Sequence, residues 1–392
     1  MSAVDHHASI EIAVNLLWCV PGAVGGSEQY LARQLLTIAD DPDFVITVYG
    51  PQGFGAAHRE LVGALHAVVD GPGDGRNRIR RILAESTWLP RRTRHADLVH
   101  HGGGTLPTIR PGRRTVLTIH DLQYVTYPGT FSSSKLRYLR FTVPRALERA
   151  DVVCCPSEFV RRTVLEVVPH RDPYSVVVVP HPIPVTELTG AELTSAAITS
   201  EATIRERYAL TGPYAVYPAI TYRHKNHAVL IEALPSIVAA HSGFRLVLIG
   251  GVGPMEAELT QRIAELGMTD SVVRPGRVSD ADRNGLIAHA SALTFPSRYE
   301  GFGAPLVEAM HLGAPIIAAD VTAVGEVVAD GGVVLSAQDI DRPEAWAAAV
   351  IDLIEHPERA AQLRVAGAQR AAHFDGVSTA EALTLAYRRA LS

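Results

Sequence analysis

The residues whose types and spacing best suit chemistry are at 297–308, Ser-Arg-Tyr-Glu-Gly-Phe-Gly-Ala-Pro-Leu-Val-Glu. They follow an apolar run of strand length and lead into a helical pattern that stops near Gly313. Pro305 suits a first helical turn, and Gly301 and Gly303 let backbone N–H groups come close to an anion at the helix start. Glu300 precedes the turn and Glu308 lies one helical turn inside, so two carboxylates can reach different hydroxyl groups of one extended ligand. The chemistry is that of a cradle for a polyol bearing phosphate. Taken alone, the two glutamates are also consistent with simple electrostatic support of a helix N-terminus.

Lysine is scarce: Lys135 and Lys225 are the only two among 36 basic residues. Lys225 lies in Arg223-His224-Lys225-Asn226-His227, after a predicted strand, where a fixed cation is expected. His224 and His227 have no third metal ligand nearby in sequence, so the reading has no metal site. His120 and Asp121 end a predicted buried strand, where open α/β sheets bind ligands. Two glycine-rich turns, one holding Gly25 and Gly26 and the other holding Gly250, Gly251 and Gly253, lack full dinucleotide-binding spacing and read equally well as ordinary strand-to-helix turns.

These groups need a scaffold. Apolar runs of strand length alternate with helical patterns along most of the chain, which predicts α/β architecture with parallel sheets. In the first half strands are expected at 11–18, 44–48, 98–100, 115–120, 152–155 and 175–179, with a helix over 27–38 capped by Ser27. A Thr-, Ala-, Ser- and Pro-rich stretch then separates a second series at 214–217, 245–249, 272–274, 292–295, 315–318 and 333–335, and a helix over 379–391 closes the chain. The expected organisation is two Rossmann-like domains facing across a cleft, at 1–185 and 204–375, with a linker at 186–203. Residues 376–392 are expected to form a helix packing back on the first domain.

The 392 residues are 47% apolar and 20% charged, which excludes a disordered scaffold. A net charge of -5 disfavours nucleic acid as a partner. Three cysteines without a C-x-x-C motif suit a reducing compartment, and the broken apolar stretch after Ile10 is neither leader nor membrane span, so a cytoplasmic location is expected. The arginines at 76, 78, 80, 81, 91, 92 and 94 concentrate positive charge in the first half. Such a run is usually a solvated face, and it also suits transient association with an anionic membrane surface.

Glu300 and Glu308, with seven residues between them and Gly301-Phe302-Gly303 after the first, resemble the signature of retaining glycosyltransferases of family 4, also described as glycosyl transferases group 1, which have the GT-B fold. The turn at Gly25 and Gly26, His120, the Lys225-Asn226 pair and the loops at Gly251 and Arg277 extend that resemblance over nearly the whole chain. The resemblance implies a hexosyltransferase acting without a metal or other cofactor, with a nucleotide-sugar donor and a glycan or lipid-linked acceptor. It implies catalytic roles for His120, Lys225 and Glu300. Donor contacts are implied for Gly25, Gly26, Arg223, Asn226, Gly251, Arg277, Gly301, Phe302, Gly303 and Glu308. The family's diphosphate-binding arginine is Ile220 here, and Arg223 is the substitute. Similarity to mannosyltransferase-like relatives tilts the donor toward GDP-mannose, and any membrane contact toward the inner face. Alternatives are a sugar-nucleotide epimerase, against which the glutamate spacing argues, and a catalytically silent nucleotide-sugar-binding subunit.

Overall fold

The computed structural model describes residues 9–107, 113–183 and 198–392. The chain divides into two compact units, one formed by residues 1–182 with 376–392 and the other by 183–375.

The first unit is built on seven parallel strands: β1 (Ile10–Asn15), β2 (Phe44–Gly50), β3 (Ala67–Asp70), β4 (Leu98–His101), β5 (Arg114–Thr118), β6 (Val152–Cys155) and β7 (Val176–Val178). Their order, β3-β2-β1-β4-β5-β6-β7, runs outward in both directions from β1 and β4, with Ile12 level with Ile46 on one side and Leu98 on the other. Helices cover both faces, so the central strands are apolar on both sides. Cys154 joins the core on one face and Cys155 the core on the other, as the two-residue repeat of a strand requires.

The second unit repeats the plan with β8 (Tyr214–Pro218), β9 (Arg245–Ile249), β10 (Val272–Gly276), β11 (Ala292–Phe295), β12 (Ile316–Ala319) and β13 (Val333–Leu335) in the order β10-β9-β8-β11-β12-β13. All pairings are parallel. The largest buried side chains here include Trp346, Tyr214, Tyr217, Phe244 and Phe295.

Four local readings need correction. The first helix is Gly26–Leu36, preceded by Gly25 at φ 74°, so Ser27 is inside it and does not cap it. The first strand stops at Asn15, not at residue 18, because the Asn15 side chain accepts the Leu17 N–H at 3.2 Å and turns the chain. The short edge strand β3 was not anticipated: four residues give no pattern distinct from the helices beside them. Of the expected linker, 186–197 lies outside the described residues. The rest belongs to the second unit, where Ser200 caps the helix Glu201–Arg207 and Thr199 donates to Asp282 at 2.6 Å.

The closing helix, Gly376–Leu391, begins three residues earlier than its pattern predicts and buries Leu383, Ala386, Tyr387 and Ala390 in the core of the first unit. The Tyr387 hydroxyl lies 2.9 Å from His100 Nδ1 on β4.

Candidate active site

In the second unit, the loops leaving the carboxyl ends of β8, β9, β10 and β11 converge. Gly250 has φ 145°, and a Cβ there would meet the Ala219 carbonyl oxygen at 2.7 Å. A Cβ at Gly253 would meet the backbone of Thr221 at the same distance. Only glycine allows these loops to touch. The Thr221 hydroxyl locks the contact, accepting from Gly253 N–H at 2.7 Å and donating to Glu256 at 2.9 Å.

The loop after β8 makes a short 3₁₀ turn, Arg223–Lys225, and leaves it through Asn226 in the left-handed region, φ 55° and ψ 37°. Asn226 is 4% exposed, and its amide donates to Asp341 Oδ1 at 3.1 Å and to the Ile340 carbonyl. Its side-chain amide therefore holds the turn in place. That turn presents Lys225, whose ammonium donates to Glu300 Oε1 at 2.5 Å. The two sequence-predicted groups, 75 residues apart, form one ion pair with side chains 21% and 14% exposed. Tyr217 supports both loops, donating its hydroxyl to the Lys225 carbonyl at 2.9 Å and lying 2.8 Å from the Ser297 hydroxyl.

Glu300 is fixed through its backbone N–H, which donates to Thr322 Oγ1 at 3.0 Å. Thr322 itself has φ 54°, a strained value for a β-branched residue. It is a positioning residue that sequence reasoning missed, since nothing in an isolated threonine signals its backbone angle. Gly303, at φ 102°, starts the helix Ala304–His311, with Pro305 in the first turn. A Cβ on Gly303 would meet Leu306 at 2.9 Å. Phe302, assigned to the donor by resemblance, is 4% exposed and packs edge-on against Phe374, so its ring is core and only its backbone can serve a ligand.

Glu308, 8% exposed, lines a cavity of about 240 Å³ with Gly250, Gly251, Arg277, Arg283 and Ile220. Arg283 was not anticipated. Its helix, Asp280–Ala288, reads as ordinary amphipathic surface, and only the fold brings it to Glu308. Arg223, offered as substitute for the missing arginine, is exposed and lines neither this cavity nor its neighbour, while Ile220 lines this one. The neighbouring hollow, about 410 Å³, shares Ala219, Gly250 and Gly251, but its arginine, Arg274, is paired with Glu256. In the smaller cavity Arg283 is paired with Asp280 at 3.6 Å, and Arg277 is its arginine without an ion pair among the described residues. His224 and His227 are both driven down to about 4, chiefly by burial, so they are neutral at pH 7. Among the described residues no three His, Cys, Asp or Glu side chains cluster as metal ligands.

In the first unit, Gly25 and Gly26 end the loop after β1. That loop is tied down by Glu28, whose carboxylate accepts the Gly22 N–H at 2.9 Å and lies 2.9 Å from His58 Nε2. His120 Nε2 donates to the Gly102 carbonyl at 2.8 Å, and burial lowers its pKa to about 4. The neutral ring therefore carries its proton on Nε2 and leaves Nδ1 as an acceptor. Tyr30 sits edge-on to His120 and stacks on His181 with ring centroids 4.1 Å apart.

Two Rossmann-like units, the second with a lysine–carboxylate pair beside a glycine turn, make up the GT-B fold. The chain belongs to glycosyltransferase family 4: residues 24–187 match Glycosyltransferase Family 4 and residues 201–370 match Glycosyl transferases group 1. It is 28% identical over 251 residues to O-antigen chain mannosyltransferase B of Escherichia coli, covering 63% of each chain. It is 32% identical over 178 residues to the GDP-mannose-dependent alpha-(1-6)-phosphatidylinositol monomannoside mannosyltransferase of Mycolicibacterium smegmatis, covering 43% of this chain and 46% of the relative. These matches span less than two thirds of the relatives' length. The fold is that of Anabaena HepE crystallised with UDP and glucose, at TM-score 0.73 and 19% identity, over 96% of this chain and 98% of that one.

Proposed function

We propose that this glycosyltransferase moves mannose from GDP-mannose to a hydroxyl of a glycan or lipid-linked acceptor, with retention of anomeric configuration. The observation that carries this reading is the Lys225–Glu300 pair at 2.5 Å, set beside the glycine turn and Glu308. Donor binding exchanges partners: the diphosphate takes the Lys225 ammonium, and the freed Glu300 carboxylate takes sugar hydroxyls. Glu308 holds the ribose hydroxyls, and the backbone at Gly301 and Gly303 faces the phosphates. His120, through its bare Nδ1, accepts a hydrogen bond from a donor-sugar hydroxyl. As the bond from the anomeric carbon to the diphosphate oxygen breaks, the acceptor oxygen bonds to that carbon from the same face, and its proton passes to the departing diphosphate. Lys225 supplies the positive charge for the leaving group, so the reading requires no metal.

The lipid-linked option draws on helical residues 78–92. Ile79 and Leu83, one turn apart, are 72% and 56% exposed among exposed arginines, the composition that settles into an anionic membrane surface. No helix among the described residues is long and apolar enough to cross a membrane. The phosphatidylinositol-based acceptor named for the M. smegmatis relative accords with this option.

The test is product analysis with purified protein and GDP-, UDP- and dTDP-sugars. A new α-mannoside from GDP-mannose, read by the anomeric carbon–proton coupling in NMR, is the expected result. An epimerised donor, or a β-linked product, would overturn the reading.

A further inference from the structure

The run of arginines in the first unit sorts, in three dimensions, into two groups. Most find local partners: Arg78 stacks over the Tyr138 ring at 3.5 Å, Arg92 lies over Trp88, Arg91 donates to the Thr87 carbonyl, and Arg94 donates to His95. Arg80 and Arg81 instead line a cavity of about 290 Å³, together with Leu17, Gln52, Gly73 and Asn77. The cavity lies beyond the carboxyl ends of β1, β2 and β3, because Leu17, Gln52 and Gly73 follow those strands in turn. That is the carboxyl-end edge of the sheet on which open α/β folds bind ligands, to one side of the switch between β1 and β4.

Its walls are built with care. A Cβ on Gly75, which has φ 75°, would strike the Leu17 carbonyl oxygen at 2.9 Å, so the loop closes over the turn after β1 only as glycine. The Gln52 N–H holds the same loop by donating to the Gly73 carbonyl at 2.8 Å. Asn77 caps the following helix, leaving the guanidinium groups as the strongest donors facing the hollow. Arg80 has no carboxylate partner among the described residues. The carboxylate nearest Arg81, on Glu85, is 3.8 Å away, and Arg81 Nε makes no hydrogen bond. Asp74 also lines the cavity, with Oδ1 engaged by the Arg76 N–H at 3.1 Å. Glu85 and Asp74 balance the two guanidinium groups in number, so what the hollow leaves open is Arg80, without a carboxylate partner, and the unbonded Arg81 Nε.

We propose that this cavity is a subsite for a phosphate group carried by the acceptor. Planar guanidinium forks match tetrahedral oxyanions, and the hollow is large enough for a phosphate with the sugar that carries it. The inference rests on the transferase reading in one respect, that the phosphate belongs to the acceptor. The phosphate can come from a soluble sugar phosphate or from a lipid-linked headgroup.

The test measures binding, without turnover, in the full chain. Glucose 6-phosphate is titrated against glucose, and farnesyl diphosphate against farnesol, by calorimetry. The chains compared are the parent, Arg80→Gln/Arg81→Gln, Gln52→Glu and Lys225→Ala. Gln52 is exposed, so its variant keeps the fold while adding a negative charge, and equal melting temperatures check both cavity variants. At least one phosphorylated probe should bind parent and Lys225→Ala about tenfold or more tighter than its neutral counterpart. Both cavity variants should remove that preference. Selective binding of glucose 6-phosphate identifies a soluble source, and of farnesyl diphosphate a lipid-linked one. The site is overturned if no probe shows the preference, if both cavity variants keep it, or if Lys225→Ala alone abolishes it. Should the cavity variants lose phosphate binding while the parent makes no mannoside, the subsite stands and the transferase reading falls.

Discussion

Lys225 and Glu300 hold each other in the free protein, and that contact lets binding and catalysis be separated at single residues. Lys225→Ala should lower kcat by about 10²–10³ with a smaller change in KM, because the diphosphate gains negative charge as the glycosidic bond breaks. If saturating donor restored full turnover, Lys225 would be a binding contact only. Glu300→Gln should do the reverse for the bare nucleotide: with the competing carboxylate gone, GDP should bind several-fold tighter by calorimetry while mannose transfer falls. Glu308→Ala should weaken GDP by about 1.5–3 kcal/mol, the worth of a hydrogen bond to a charged group. Its helix should survive, since alanine is a strong helix former. Both glutamates were legible from spacing. Their surroundings were not, because the Thr322 hydroxyl that fixes Glu300 and the Arg283 that shares a cavity with Glu308 come from other turns of the chain.

Among the elements, the arginine-bearing helical segment has the most to decide. Its sequence shows charge, but only the structure shows that Ile79 and Leu83 point outward and that the arginines divide between local partners and the cavity. Ile79→Ser/Leu83→Ser should reduce sedimentation with anionic phosphatidylglycerol vesicles while leaving transfer to a soluble acceptor intact, and added salt should weaken whatever binding persists. Vesicle binding equal to the parent would mark the segment as a solvated face. The turn before Lys225 shows the opposite balance. Asn226 reads as a ligand by family position, yet it adopts the left-handed angles that asparagine tolerates and spends its amide on Asp341.

At the scale of the whole molecule, the closing helix returns to the first unit, so that unit's core is completed by the last residues of the chain. Tyr387→Ala should cost about 3–5 kcal/mol, as for other large buried rings, and leave His100 Nδ1 without its partner. Tyr387→Phe should cost much less, and denaturant midpoints compare the two. Acid should act on the same unit. Burial holds His100, His101 and His120 neutral, with pKa values lowered from 6.5 to about 3, 4 and 4. Between pH 6.5 and 4 the unfolded chain binds more protons than the folded one, so stability that is full above 6.5 is lost as pH falls through that window. Melting temperatures at pH 7.5, 6 and 5 should fall in that order.

The two-sheet α/β plan, most strands, the glycine turn between Glu300 and Glu308 and the isolation of Lys225 are written in local sequence, because strand and helix periodicity, glycine conformation and residue scarcity are properties of neighbours along the chain. Which charges meet is not local. Lys225 reaches Glu300 across 75 residues, Arg283 joins Glu308 in one cavity, Arg223 is left in solvent, and Arg80 and Arg81 share a hollow beyond the ends of β1, β2 and β3. Those outcomes depend on which strand lies beside which and on where glycine lets two loops touch, and a parallel sheet makes that choice only when its distant segments have paired.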